Sequence, residues 1–243
     1  MVRDGYWYGL GLAAVAAVVW GTTHSFVFLL LPLLLAVFFL WFFRDPKRAI
    51  PEAPGLIVSP ADGKVTALRK VASAEGGQYL VSIFMNVFNV HVNRAPISGT
   101  VRSIAYKKGE FLNAMQPESA EKNEQNQVEI SGELCTVRMT QIAGLLARRI
   151  VFNKKEGDWV HRGERVGLIK FGSRVDVLFP STCTLQVALG DHVHGGSSVL
   201  AAMPLAVDME GLAVLAAEQA QGTSQVTKQG ATQGTKETMR GTR

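Results

Sequence analysis

At 243 residues the chain is long enough for one sizeable domain with additions. Its two cysteines, Cys135 and Cys183, cannot build a disulfide framework and lack metal-ligand spacing. The formal charge of +5 is not gathered into an aromatic-interleaved basic stripe, which argues against nucleic acid as a partner and for an anionic lipid surface.

The chain opens with two apolar runs, Tyr6 to Trp20 and Phe26 to Phe43, separated by the polar break Gly21-Thr22-Thr23-His24-Ser25. A membrane span needs roughly 20 apolar residues. The second run meets that with its flanks, and the first is marginal. Arg3 precedes the first run as in a signal peptide, but no small-x-small cleavage site follows Trp20, which favours an uncleaved helical hairpin. Arg3 at one end and Arg44, Lys47 and Arg48 at the other place both ends on the cytoplasmic side. Residues 1–48 are thus expected to anchor the protein in the cell membrane, with the remainder cytoplasmic. Insertion into a single leaflet is the alternative geometry.

A Pro-rich linker, Asp45-Pro46 through Pro51 and Pro54, leads into a β-rich domain over 49–207. Strands are expected at Leu56 to Val58, Lys64 to Leu68, Tyr79 to Met85, Val87 to Val92, Thr100 to Tyr106, Gln127 to Ile130 and Cys135 to Ile142. Glu118 to Asn126 reads as a loop or short exposed helix, and Leu145 to Ile150 is of undecided type. A repeat follows. Gly157-Asp158-Trp159-Val160-His161-Arg162-Gly163 and Gly190-Asp191-His192-Val193-His194-Gly195-Gly196 share Gly-Asp-x-Val-His-x-Gly at an offset of 33 residues, continued by Val166 and Val199. Such units make the corners of barrel-sandwich β folds, so the fold class is mainly β, barrel-sandwich-like, behind the hydrophobic hairpin. Over 208–243 a short helix, Asp208 to Gln219, precedes a tail without aromatics that reads as disordered.

The residues that could carry chemistry lie in this domain. In Lys170-Phe171-Gly172-Ser173-Arg174-Val175-Asp176-Val177, a serine hydroxyl stands within reach of the preceding carbonyl. That arrangement permits an N-to-O acyl shift, elimination of the ester and a new N-terminal pyruvoyl group, although most Gly-Ser pairs are plain turns. The competing pair Gly196-Ser197 falls inside the repeat, where Ser197 stands in the place of Glu164, so it reads as a turn. Asp62 in Ser59-Pro60-Ala61-Asp62-Gly63 is either a turn former or a carboxylate that orients a histidine or hydroxyl. His91 is either a structurally bonded histidine or a general acid/base, and Arg94 either a solvated cation or an anion binder. His192 and His194 alternate as zinc ligands do, but no third or fourth ligand is spaced to join them. No metal is expected.

Taken in order, Ser59 to Val65, Phe88 to Gly99, Gly109 to Ala114, Asn123 to Asn126, Ala143 to Ile150 and Val160 to Pro180 resemble the short form of phosphatidylserine decarboxylase proenzyme, found in bacteria, and its archaeal archaetidylserine relative. The resemblance covers about Ile50 to Met203. It implies self-cleavage between Gly172 and Ser173 into two fragments that stay together as an α/β heterodimer, and conversion of Ser173 into a pyruvoyl cofactor. It further implies that phosphatidylserine from the membrane forms a Schiff base with that ketone, loses CO₂ and leaves as phosphatidylethanolamine. Asp62 and His91 are the candidates for activating Ser173, His91 also for the later protonation, and Arg94 for binding substrate. Longer family members carry a second histidine where this chain has Arg94, and His161 is a spare candidate. Acyl-chain preference and self-association stay open. Two other readings compete: a membrane-tethered carrier or adaptor, which would need a modifiable lysine at a hairpin tip, and a zinc hydrolase using His192 and His194.

Overall fold

A computed structural model describes residues 2–73, 76–116, 118–145, 149–170 and 172–204. The helix expected over Asp208 to Gln219 and the tail beyond it lie outside the described residues, as do residues 146–148 of the undecided Leu145 to Ile150 stretch.

The chain begins with two antiparallel helices, α1 (Arg3–Thr23) and α2 (Phe26–Phe42). The polar break ends α1 at His24, whose left-handed φ of 48° turns the chain back. Aromatic rings join the pair at both ends: Tyr8 stacks on Phe39 at 5.3 Å, and Trp20 meets Phe26 at 4.5 Å. Neither helix, among the described residues, is long and apolar enough to cross a membrane. The 17 residues of α2 reach about 25 Å at 1.5 Å per residue, short of a hydrocarbon layer of roughly 30 Å. Helix α1 is longer, but four glycines dilute its apolar content. The hairpin expected from sequence therefore forms, with a length that does not match two full spans.

The rest is β structure in four runs. The first holds β1 (Leu56–Val58), β2 (Gly63–Ser73) and β3 (Gly76–Met85). The second repeats that pattern as β4 (Val92–Arg94), β5 (Gly99–Lys107) and β6 (Gln125–Ser131), with the four-residue helix α3 (Ser119–Lys122) before the last strand. The third holds β7 (Thr136–Ile142), β8 (Ile150–Phe152), β9 (Trp159–Val160) and β10 (Arg165–Ile169). The fourth repeats the third as β11 (Ser173–Pro180), β12 (Thr184–Leu185), β13 (His192–Val193) and β14 (Val199–Ala202).

These runs interleave about an approximate two-fold axis. The eight-stranded sheet has the order β13-β2-β3-β11-β7-β6-β5-β9, so the two copies of the sequence repeat cap its opposite edges. Two small sheets, β1-β14-β12 and β4-β10-β8, are the matching halves of the second layer. The sheet curls into a half-barrel around Val81, Ile83, Met139, Val175, Val177 and Phe179, all fully buried. The fold class is as expected: mainly β with a helix pair in front.

One expected strand is absent. Over Val87 to Val92 the chain turns, because two asparagines bond to backbone that a sheet would otherwise use. Asn89 Oδ1 accepts the Asn86 N–H at 2.9 Å, and Asn86 Oδ1 accepts the Phe88 N–H at 2.8 Å. Only Val92 and its followers join β4, so His91 sits on the approach to a strand rather than within one.

Candidate active site

Ser173 is the first residue of β11 and pairs with Met85, the last residue of β3. Alternation along the strand sends Ser173, Val175, Val177 and Phe179 into the core. The serine side chain is consequently fully buried, and its hydroxyl donates to the Met85 sulfur at 3.5 Å. A thioether is a weak acceptor.

The bond before it is equally constrained. Gly172 has φ of 31°, in the left-handed region that favours glycine. Its carbonyl oxygen lies over Gly144 so closely that a Cβ at position 144 would collide with it. That close approach is held from behind by Asn123. Its Nδ2 donates to the carbonyls of Ala143 (2.7 Å) and Leu112 (2.8 Å), while its Oδ1 accepts the Leu112 N–H. The segments Gly109 to Ala114, Asn123 to Asn126 and Ala143 onward, distant in sequence, thus converge beside the Gly172 carbonyl.

On the opposite face of β11 lie Arg174 and Asp176, both buried. The guanidinium grips the carboxylate with two nitrogens, Nη2 donating to Oδ2 at 2.9 Å and Nε standing 2.8 Å from Oδ1. Its Nη1 reaches the Ala114 carbonyl and Ser119 Oγ, each at 3.4 Å. The Ser-Arg-Val-Asp-Val pattern therefore places a hydroxyl inward and a clamp for the 114–119 loop outward.

His91 is 2 % exposed, under the Phe42 ring of α2 at 4.4 Å between centroids. Its Nδ1 bonds the Asn89 carbonyl at 2.9 Å. A carbonyl only accepts, so that bond assigns the hydrogen to Nδ1 and leaves a bare lone pair on Nε2. Nε2 is buried and has no hydrogen-bond partner among the described residues. Burial pushes the imidazole down to about 4, and the nearby Arg44 adds to the effect against the Asn89 carbonyl and Asp62. The ring is a neutral base at pH 7.

Asp62 sits at the end of the turn before β2. Its carboxylate takes both oxygens to Arg48 Nη2 (2.8 and 2.9 Å) and accepts the Gly195 N–H at 2.7 Å. The exposed His194 stands 3.6 Å from it through Nδ1. Among the described residues no hydrogen bond joins Asp62 or His91 to Ser173. The link of Asp62 to His91 is a through-space charge effect.

Arg94 has partners other than a ligand. Its guanidinium donates to Asp45 Oδ1 (2.6 Å) and the Gly163 carbonyl (2.9 Å), pinning the linker to the first corner. Asp45 also pairs with Arg165. The structure thus gives the expected substrate-binding arginine a structural use. Arg44 is the residue that sequence reading passed over here: it stacks on Trp41 at 4.0 Å and donates to the Phe88 carbonyl at 2.7 Å, seating α2 on the 86–91 turn beside His91.

The remaining candidates are peripheral. Gly196-Ser197 lies in the second corner, with Gly196 at φ 81° where the first corner has Gly163 at 77°. His161, His192 and His194 are exposed. Among the described residues no group of three His, Cys, Asp or Glu side chains could hold a metal. Both cysteines are free, and burial, with Cys135 nearby, pushes the Cys183 thiol up to about 12, so it is no nucleophile.

Comparison with known proteins shows the family. The family described as phosphatidylserine decarboxylase matches residues 35–201, a stretch that contains both Ser173 and the strands that bury it. Proteins named phosphatidylserine decarboxylase proenzyme resemble the chain over most of its length. That of Solibacter usitatus (strain Ellin6076) is 52% identical over 203 residues, covering 83% of this chain and 96% of the relative. That of Oleidesulfovibrio alaskensis is 46% identical, covering 79% and 90%. That of Azorhizobium caulinodans is 44% identical, covering 82% and 87%. The chain belongs to the phosphatidylserine decarboxylase family.

Proposed function

We propose that this protein is a self-processing decarboxylase that converts phosphatidylserine to phosphatidylethanolamine and CO₂. The observation that carries the reading is the family match over a domain in which a Gly-Ser bond has a left-handed glycine on one side and a fully buried serine on the other. In the maturation reaction Ser173 Oγ adds to the Gly172 carbonyl carbon, and the C–N bond breaks to give an ester. Loss of the Ser173 α-proton then expels the Gly172 carboxylate. Tautomerisation and hydrolysis consume one water, release ammonia and leave a ketone at position 173.

Several features fit that sequence. Gly172 is held over Gly144 in a cradle that a Cβ would fill. The Ser173 hydroxyl has only a weak acceptor to give up. Full burial of Ser173 keeps bulk water off the ester while the two fragments are still joined. His91, neutral and with a bare Nε2, is the nearest chemistry to a general base, and Asp62 supports its protonated form through space. Protonation of the decarboxylated carbon falls to the same histidine.

The pyruvoyl ketone, once made, supplies the electron sink that decarboxylation needs. Ser173 and the strands around it hold that site. Strand β11 pairs with β3 from Ser173 to Pro180, and with β7 on its other side, so the two fragments stay associated as an α/β heterodimer. The helix pair would enter one leaflet of the cell membrane with the domain on the cytoplasmic side. Supporting this, both helices present large apolar side chains outward, among them Trp7, Val27 and Phe28, and the exposed Phe88 adjoins Trp41 at their base. The carrier and zinc-hydrolase readings are not favoured.

Intact mass of the purified chain, with and without a carbonyl-reactive amine, tests the proposal. Two fragments broken at 172/173, the C-terminal one carrying a ketone, are expected. Breakage at 196/197 would move the site. A single uncleaved chain in an active preparation would sink it. Ser173→Ala should abolish cleavage and turnover together.

A further inference from the structure

Behind Ser173 the core contains a row of polar groups that neither packing nor the mechanism above requires. Asn126 and Gln141 face each other across β6 and β7. Asn126 Nδ2 donates to Gln141 Oε1 at 3.0 Å, and Gln141 Nε2 donates to Asn93 Oδ1 at 2.8 Å. Asn93 Nδ2 points at the Met85 sulfur from 3.9 Å, and the Ser173 hydroxyl approaches the same sulfur at 3.5 Å. Every member is buried: Asn126 is 3 % exposed, and Gln141, Asn93, Met85 and Ser173 are at 0 %. Gly167 of β10 lies against the row: a Cβ there would collide with the Val151 carbonyl oxygen and stand 3.3 Å from Gln141 Nε2.

Three carboxamides in the buried centre of a β fold are an unusual choice. Apolar residues of the same volume would avoid their desolvation. They are also polarised in one direction, each amide donating to the next, so their dipoles add toward Met85. The row crosses the approximate two-fold axis. It starts on one half of the large sheet, passes through the small sheet at β4 and ends on the strand pair that holds the Gly172–Ser173 bond.

We propose that the carboxamide row Asn126–Gln141–Asn93, acting through Met85, positions the Ser173 hydroxyl for self-cleavage. The inference rests on Gly172–Ser173 being the cleaved bond. Asn93 fixes the thioether, and the thioether takes the hydroxyl hydrogen. With the hydrogen directed at sulfur, the oxygen lone pairs are left free for the Gly172 carbonyl carbon. A neutral acceptor suits this role, because a carboxylate in its place would hold the hydroxyl too strongly to release it. These are positioning residues: Met85 alone touches the nucleophile, and the carboxamides act through it.

The test is the first-order rate of self-cleavage of freshly synthesised full-length chain, followed by mass, beside the thermal unfolding midpoint of each variant. Met85→Leu keeps volume and shape and removes the acceptor. It should slow cleavage about tenfold, the rate equivalent of one ordinary hydrogen bond, with little change in the midpoint. Met85→Gln, which restores an acceptor on a chain of similar length, should recover much of the rate. Asn93→Leu should slow cleavage similarly even if its midpoint falls. Parental rates in Met85→Leu and Asn93→Leu overturn the inference. So does a slowing that tracks the midpoint and is not relieved by Met85→Gln. Ser173→Ala separates the two levels. If it is still cut into the same fragments, the cleavage assignment itself fails; if it stays whole while Met85→Leu cleaves normally, only the positioning role fails.

Discussion

The corners at 157–166 and 190–199 descend from the same sequence pattern and make the same backbone bonds. Gly157 N–H reaches the Val101 carbonyl as Gly190 N–H reaches that of Val65 (2.8 and 2.9 Å), and Gly163 N–H reaches Ala95 as Gly196 N–H reaches Ser59 (2.8 and 2.7 Å). Even the next contact is shared in form. In the first corner the Arg162 N–H donates to Ser98 Oγ at 2.9 Å, and in the second the Gly195 N–H donates to Asp62 Oδ1 at 2.7 Å. The acceptor differs in kind. A neutral hydroxyl suffices at one corner, so the charge at the other is not needed to make the turn. That surplus charge engages Arg48, stands beside His194 and bears on His91. Two equal corners thus isolate what one of them has beyond structure.

The sharpest way to break this comparison is to make the corners alike. Asp62→Ser installs at the second corner the residue type of the first. Its half-buried partner Arg48 loses its counter-charge, which should lower stability by about 2 kcal/mol. Self-cleavage should slow by roughly 10²-fold or more if the carboxylate supports the general base. Ser98→Ala removes only a neutral hydrogen bond and should lower stability by about 1 kcal/mol with cleavage unchanged. Denaturant titration and the mass-detected cleavage rate read both effects. Normal cleavage in Asp62→Ser would reduce Asp62 to a turn former.

A second asymmetry separates β1 from β4. The position before β4 is His91, and the matching position before β1 is Gly55. Because burial lowers His91 to about 4 from its ordinary 6.5, the unfolded chain binds the proton more readily than the folded one between those values. The stability it contributes is whole above pH 6.5 and is lost as pH falls toward 4, by roughly 3 kcal/mol. Urea midpoints measured across that window should fall for the parent and stay flatter for His91→Phe. Cleavage should also be severely impaired in that variant. A parental pH slope would mean the histidine is not buried neutral.

How much of this was visible in the sequence follows from where each signal resides. The corners were legible because their constraint is local: Gly at φ near 80° and Asp accepting the N–H three residues back leave a fixed spacing. Ser173 stood out as a candidate through the run around it, and the structure adds that Arg174 and Asp176 clamp the loop that faces them. The turn at 86–91 was misread as strand, because Val87, Phe88, Val90 and Val92 have strand propensity while Asn86 and Asn89 overrule it through side-chain bonds. The carboxamide row was invisible for a different reason. Asn93, Asn126 and Gln141 meet only through pairing of β6 with β7 and crossing of β4, contacts of long sequence separation. The two-fold relation of β1–β3 to β4–β6 was hidden too, as it survives in backbone bonds and not in residue identity.

A milder perturbation sharpens the structural half of the comparison. Gly163→Ala and Gly196→Ala each force a side chain into the left-handed region, at φ 77° and 81°. Each should cost about 1–2 kcal/mol from backbone conformation alone. The added methyl also meets Ile50 at both positions, and Arg94 Cδ at 2.9 Å from Gly196. Near-equal losses in thermal unfolding would show that the corners are equivalent as structure. A much larger loss at Gly196 would mean that the second corner is held more rigidly around the Asp62 side.

The smallest expected effects are those of the two exposed corner histidines, and they decide the most about chemistry. His161 N–H bonds Glu164 and His194 N–H bonds Ser198, both through the backbone, so neither imidazole is needed for its turn. Truncation to Ala should change stability by no more than about 0.5 kcal/mol in either case. His161→Ala should leave cleavage untouched. His194 is 3.6 Å from Asp62, whereas His91 has no direct bond to that carboxylate. If burial and a bare lone pair are what make the base, His194→Ala should slow cleavage by less than about twofold, because an exposed, solvated imidazole adds little to a buried pair. A tenfold slowing there would transfer the base to the Asp62–His194 pair and leave His91 as a packed, neutral core residue under Phe42.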